Sequence, residues 1–235
     1  MRTFDLQKLN ELPDVTLQQP NSNFQDISTI SSTFELPLQH RNLLALSNGL
    51  SICAGYYRLL GHDTKCDRDL KTWNAPSHWK FAWQGRADSY FCFGTTAWGD
   101  QFAYGINDMS GEDRSPIYLL DAFSMEAEII ASDFSEFWSK EICRNAHSPY
   151  DSMVARCQKI IPQLDWHDLL AYSPPLQIGG PEDEANIVKM SARVVMIVNG
   201  DIATQLDALP DNTVITGATT IKDGTDLLRL KLLTD

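Results

Sequence analysis

The sequence predicts an α/β protein of the α+β kind, in which helices pack against a mixed, largely antiparallel sheet and a smaller α/β unit follows. Three observations carry this. Short apolar runs separated by Gly, Asn and Asp fill residues 55–130, too short for helices and several with a period of two. Helix signatures frame these runs on both sides. A new helix start at Ser148-Pro149 then opens a second segment, so the chain divides into residues 1–145 and residues 146–235, the latter an α/β extension with no assigned role.

Taken in order, residues 5–11 suit a short helix and residues 18–33, rich in Gln, Asn, Ser and Thr, a loop. Leu36-Pro37 opens a helix of about three turns through Leu43, Leu44 and Leu46, because proline suits the first turn and Asn48-Gly49 the exit. Gly55 to Gly61 bound a short strand. Trp79, Phe81 and Trp83 alternate with Lys80 and Ala82, which predicts a strand with three rings on one buried face. Tyr90–Phe93, Phe102 to Ile106, Ile117–Leu120 and Glu126–Ile130 are further strands. Asp133 with Glu136 three residues later marks a helix start, with Phe134, Phe137, Trp138 and Ile142 facing inward.

In the second segment, Tyr150, Met153, Val154, Cys157, Ile160 and Ile161 fall on one helical stripe that Pro162 ends. Pro174-Pro175 and Gly179-Gly180-Pro181 bracket a short extended piece. Val194–Val198 suits a buried strand, followed by Asn199-Gly200 and a short helix to Leu209. Asp223-Gly224 suits a hairpin turn before a last strand, Leu227–Leu233.

Nineteen basic residues face 31 acidic ones, a formal charge of −12. Direct nucleic-acid binding needs a basic surface to displace counterions, so that class is excluded; the acidity serves solubility or attracts a basic partner. Five cysteines are an odd count, which leaves at least one unpaired, and Cys92 in an apolar run and Cys157 on an apolar helix face suit small buried hydrophobes in a reducing compartment. No apolar leader follows Met1 and no run approaches 18 apolar residues, which predicts a soluble cytoplasmic chain that avoids membranes.

No phosphate-cradling loop, dinucleotide fingerprint or nucleophile elbow is present. His62 and Cys66, with Cys53 and His78 nearby, lack the paired spacing of a zinc site, so neither metal nor cofactor is expected. The five histidines stand beside no telling nucleophile, and Asp100 and Asp108 sit where turns need them. No catalytic residue is assigned. Trp98, in the loop Gly94 to Asp100, suits either a plug at the edge of the core or an anchor for a partner. Trp98, Asp100 and Tyr104 are the candidate partner-binding residues.

Several of these pieces, in this order, resemble the SUKH superfamily, named for a yeast cell-wall assembly regulator and its bacterial relatives. Leu36-Pro37 through Asn48-Gly49 resembles its Leu-Pro helix. Phe93-Gly94, Gly99-Asp100 and Phe102-Ala103-Tyr104 resemble its strand, glycine loop and strand. Ile117–Leu120 resembles the next strand, and Ile130 to Phe137 its closing helix. The resemblance covers about residues 30–145; the aromatic content from Trp79 to Trp98 departs from the usual pattern. It implies a non-catalytic binding domain, in bacterial relatives often an immunity protein that neutralises a toxin, commonly a nuclease. The expectation is therefore an immunity protein for a basic toxin domain. The alternative is a cytosolic scaffold that binds a host protein, and an unrecognised hydrolase comes third.

Overall fold

A computed structural model describes residues 14–20, 35–62, 68–108, 114–147, 152–223 and 227–235. The expected helix at 5–11, most of the loop at 18–33, Cys66, Ser148-Pro149, Tyr150 and Gly224 lie outside the described residues.

The first helix, α1 (Leu38–Leu46), follows Pro37 and buries His40, Leu43 and Leu44. The strands on either side of it form one antiparallel meander in which each pairs with its neighbour in strand order. Its members are β1 (Thr16–Leu17), β2 (Leu50–Ile52), β3 (Tyr57–Leu59), β4 (Tyr90–Thr96), β5 (Gln101–Gly105), β6 (Ile117–Leu120) and β7 (Ala127–Ala131). Short apolar runs joined by tight turns give this topology because antiparallel partners need only a turn between them. Helix α2 (Leu70–Trp73) lies between β3 and β4. After β7 comes α3, an α turn (Phe134–Phe137) continued by a π-helical stretch (Trp138–Cys143) and a last α turn (Arg144–His147). Its start is capped from both sides. The Glu136 amide donates to Asp133 Oδ1 at 2.9 Å, and Glu136 Oε2 accepts from the Ser132 amide at 2.7 Å. Phe134, Phe137, Trp138 and Ile142 are all buried, as their spacing predicts.

Trp79 to Trp83 is not a strand. Lys80–Trp83 is a 3-10 turn, closed by Gln84 in the left-handed region. Its tighter winding separates the three rings. Trp79 and Trp83 are fully buried, whereas Phe81 is half-buried beneath the Arg229 guanidinium, 4.9 Å from the ring centre.

The smaller unit holds α4 (Ser152–Ile160), the pair β8 (Asp168–Tyr172) and β9 (Ile187–Ser191), helix α5 (Ala192–Ala208), and the pair β10 (Ile215–Lys222) and β11 (Leu228–Thr234). On α4, Val154 and Cys157 are buried, but Ile160 is exposed. The piece after Pro175 is a 3-10 turn, Leu176–Ile178, not an extended one. Val194–Val198 is not a strand either: α5 absorbs it together with Asn199-Gly200. A short apolar run cannot be told from a buried helix by periodicity alone. Here tertiary packing decides, because α5 crosses the 3-10 turn at Gly200. A Cβ at that position would come within 2.9 Å of the Ala82 carbonyl oxygen.

One hydrophobic core spans both segments. Val154, Cys157, Leu169, Leu170, Val195 and Met196 belong to the same buried cluster as Trp83, Phe93 and Phe137. Polar ties cross at the same place. Trp83 Nε1 donates to the Met196 carbonyl at 3.0 Å, Asn199 Nδ2 to the Ala122 carbonyl at 3.0 Å, and Arg58 Nη1 to the Asp168 carbonyl at 2.6 Å. Among the described residues, no helix is long and apolar enough to cross a membrane.

His40 sits at the centre of the aromatic layer, stacked on Phe134 at 4.5 Å with Nδ1 3.1 Å from the Tyr104 hydroxyl. Burial disfavours the imidazolium and pulls its pKa down to about 3. The unfolded chain, with His40 at its ordinary value of about 6.5, then binds more protons than the folded one between these limits. The stability is complete above pH 6.5 and is lost as pH falls towards 3. At pH 5 the loss is on the order of 2 kcal/mol. Urea unfolding at pH 7.5 and pH 5 checks this: His40→Phe keeps the stack and should narrow the difference between the two pH values by that amount. An unchanged difference would assign the acid limb to other groups.

Candidate functional site

Trp98 occupies a turn whose geometry is fixed from several directions. The Thr96 amide donates to the Asp100 carbonyl at 3.0 Å, and the Leu170 amide of β8 to the Ala97 carbonyl at 2.8 Å. Gly99 takes a φ of +99°, which glycine allows without a Cβ penalty, and lies against Leu169 and Met196. Asp100 ties the turn together: Oδ2 accepts from Thr96 Oγ1 at 2.7 Å and Oδ1 from the Ala122 amide at 3.0 Å. Burial pushes the Asp100 carboxyl up, and these two hydrogen bonds oppose the shift. The turn role expected for Asp100 is therefore what its contacts describe. Asp108, in the 3-10 turn Ile106–Asp108 that follows β5, accepts from the Tyr118 hydroxyl at 2.7 Å.

The indole of Trp98 is half-buried and stacks on Tyr172 with ring centres 5.2 Å apart and planes 7° from parallel. It forms a wall of two clefts. The first, about 200 Å³, runs between β8, the 3-10 turn at Leu176 and α5, and is mainly apolar, with Tyr172, Leu176, Met190 and Val195 in its lining. The second, about 180 Å³, lies between the ends of β3 and β4 and helices α3 and α4; its lining includes Tyr56, Tyr57, Asp100, Phe102, Glu141 and Asn145. Burial also raises the Glu141 carboxyl, against the opposing pull of Arg144 and Lys140.

Of the three residues singled out from the sequence, Trp98 and Asp100 meet at the second cleft. Tyr104 does not. It has no exposed surface and lies in the aromatic layer with His40 and Phe93, so it is a core residue and meets no partner in this conformation. Tyr172 and Glu141 belong to the site and escape the sequence reading. Tyr172 ends an apolar run, Leu169-Leu170-Ala171-Tyr172, just before Ser173-Pro174-Pro175, a strand signal that could have been found. Glu141 carries no local signal, because only the fold of α3 against β3 and β4 brings it to Trp98. Among the described residues, no three His, Cys, Asp or Glu side chains come together to hold a metal ion.

The fold and the cleft define an α+β protein with an antiparallel meander and a C-terminal unit docked on it. No family model and no curated protein matches the chain. Among solved structures, it is similar to the crystal structure of Atu4351 from Agrobacterium tumefaciens, with a TM-score of 0.51 at 11% identity. The likeness covers 95% of this chain and 96% of that one, so it is a likeness of fold that spans meander and C-terminal unit alike.

Proposed function

We propose that this chain acts by binding a protein rather than by turning over a substrate, as a cytoplasmic immunity protein that captures a basic toxin domain. The observation that carries the reading is Trp98, an aromatic side chain held part-exposed on a braced turn between two clefts. Rigid aromatic anchors next to pockets are the side chains that dominate binding energy at interfaces. The charge of −12 supports a basic partner. Burial of Arg58, Arg68 and Lys80 takes three cations off the surface, against two buried acids, Asp69 and Asp201. The motif order over residues 30–145 that resembles the SUKH superfamily points the same way, and Cys53 and Cys92, buried as free thiols, suit a reducing compartment.

The test is co-expression with the product of the adjacent gene, read first as growth and then as binding kinetics. Opposite fields steer association, so raising salt from 0.01 to 0.15 M should slow association about tenfold or more and change dissociation far less. Trp98→Ala should instead raise the off-rate about thirtyfold, the effect of losing an anchor worth ~2 kcal/mol. Toxicity that the chain does not relieve, with no complex at micromolar concentration, rejects immunity towards that partner.

One observation favours the scaffold reading. The β10–β11 hairpin leaves Ile221, Leu228 and Leu233 exposed, next to exposed Val214. Ile221 and Leu233 stand on one face of the hairpin and Leu228 on the other, so apolar side chains remote in sequence from Trp98 are exposed there.

A further inference from the structure

We infer that the second cleft is the seat for one arginine side chain of the protein partner, with its guanidinium plane against the aromatic wall of Trp98 and its donors turned to Glu141 and Asp100. This deepens the protein-binding reading and rests on it.

Size comes first. At about 180 Å³ the cleft is smaller than the ~300–1,000 Å³ typical of small-molecule sites, and suits a single long side chain. Its walls come next. Tyr56, Tyr57, Trp98 and Phe102 line it, and aromatic faces attract cations through the ring quadrupole, indole most strongly. Its charge is negative. Glu141 and Asp100 are the acids in the lining, and no lysine or arginine stands among the described residues that line it. Arg144, one turn along α3, and the neighbouring Lys140 pull on Glu141 electrostatically and do not offset its burial. A carboxylate kept from water without a full counter-charge gains most when a cation arrives, because its own desolvation has already occurred.

The chemistry also selects among cations. Two carboxylates fall short of the six to eight oxygen ligands of a calcium site. Asp100 spends one lone pair of each oxygen on the turn, which leaves its remaining acceptor sites and the Glu141 carboxylate at different points of the lining. A planar guanidinium with five donors can stack and reach both, whereas an ammonium is a compact point charge that cannot stack.

The experiment uses the whole chain and two blocked peptides, Ac-Gly-Arg-Gly-NH2 and the same peptide with uncharged citrulline, an isostere of arginine. The readout is NMR of the Trp98 indole N–H, assigned by its disappearance in Trp98→Phe. The arginine peptide should shift this resonance saturably at millimolar concentration, and the citrulline peptide at least tenfold more weakly. Glu141→Gln, which preserves shape, should weaken the arginine peptide at least tenfold. Glu128→Gln, on the exposed strand β7, should leave it unchanged. An equal response to citrulline, or less than a twofold change in Glu141→Gln with its melting temperature retained, overturns the assignment. Free L-arginine amide binding far tighter than the peptide would make the cleft a small-molecule site and also overturns it. The two readings separate with the captured partner: a complex whose affinity is unchanged by Glu141→Gln removes the arginine seat and leaves protein binding standing.

Discussion

Trp83→Ala should destabilise the protein by about 3–5 kcal/mol, in line with other fully buried aromatic side chains cut to alanine. Trp83 has no exposed surface, and its indole N–H is the donor to the Met196 carbonyl at 3.0 Å. Truncation therefore opens a cavity under α5 and orphans a carbonyl in the same place. Urea unfolding of parent and variant measures the difference; a midpoint within error of the parent would mean that the core under α5 refills. Phe81→Ala, two residues from Trp83 in the same 3-10 turn and only half-buried, should cost distinctly less, because its ring packs at the edge of the core with Arg229 over it.

The second large effect is expected at Arg229. Asp201, on α5, is 3% exposed. Its carboxylate accepts from Arg229 Nε at 2.8 and 3.0 Å, from Arg229 Nη2, and from the Leu230 amide at 2.8 Å. Removing one partner of such a pair leaves a buried charge without compensation, and Arg229→Ala should cost about 3–5 kcal/mol. The cost falls on one place. Arg229 and Leu230 belong to β11, so the pair pins the β10–β11 hairpin to α5. Hydrogen exchange should show the amides of residues 215–222 and 228–234 losing protection while those of β4 and β5 keep theirs. Asp201→Asn combined with Arg229→Met should recover much of the loss, because the buried charge goes with its partner. Equal loss in single and double variants would mean that the hairpin is held by Leu232 and its neighbours instead.

The elements legible in the sequence are those that local chemistry determines. The strand Ile117–Leu120 and the helix opened by Asp133 and Glu136 follow from turn residues, run length and a capping pattern, each visible within a few positions. The 3-10 turn at Lys80–Trp83 is not legible in this way, because alternation of rings over five residues fits a strand equally well. Its true shape follows from Gly85 and Gln84 in left-handed conformations and from the approach of α5 more than a hundred residues later. Helix α5 is illegible for the same reason: Asn199-Gly200 has the composition of a turn, and only the Ala82 backbone explains why a helix needs glycine there. Of the site, Trp98 and its braced turn are visible as a loop aromatic between glycines. Glu141 is not, since its place beside Trp98 exists only once α3 has packed on the sheet.

The order of the meander bears on synthesis at the ribosome. Every strand from β2 to β7 pairs with the one before it, so a nascent chain can zip the sheet in the order in which it emerges. The indole of Trp83 has to wait, because its hydrogen-bond partner Met196 is on α5, which ends at Ala208. At roughly 5–20 residues per second, translation separates Ala131 from Ala208 by about 4–15 s. For that interval the half-made protein presents a paired sheet with a bare indole beside it, the kind of surface that chaperones hold.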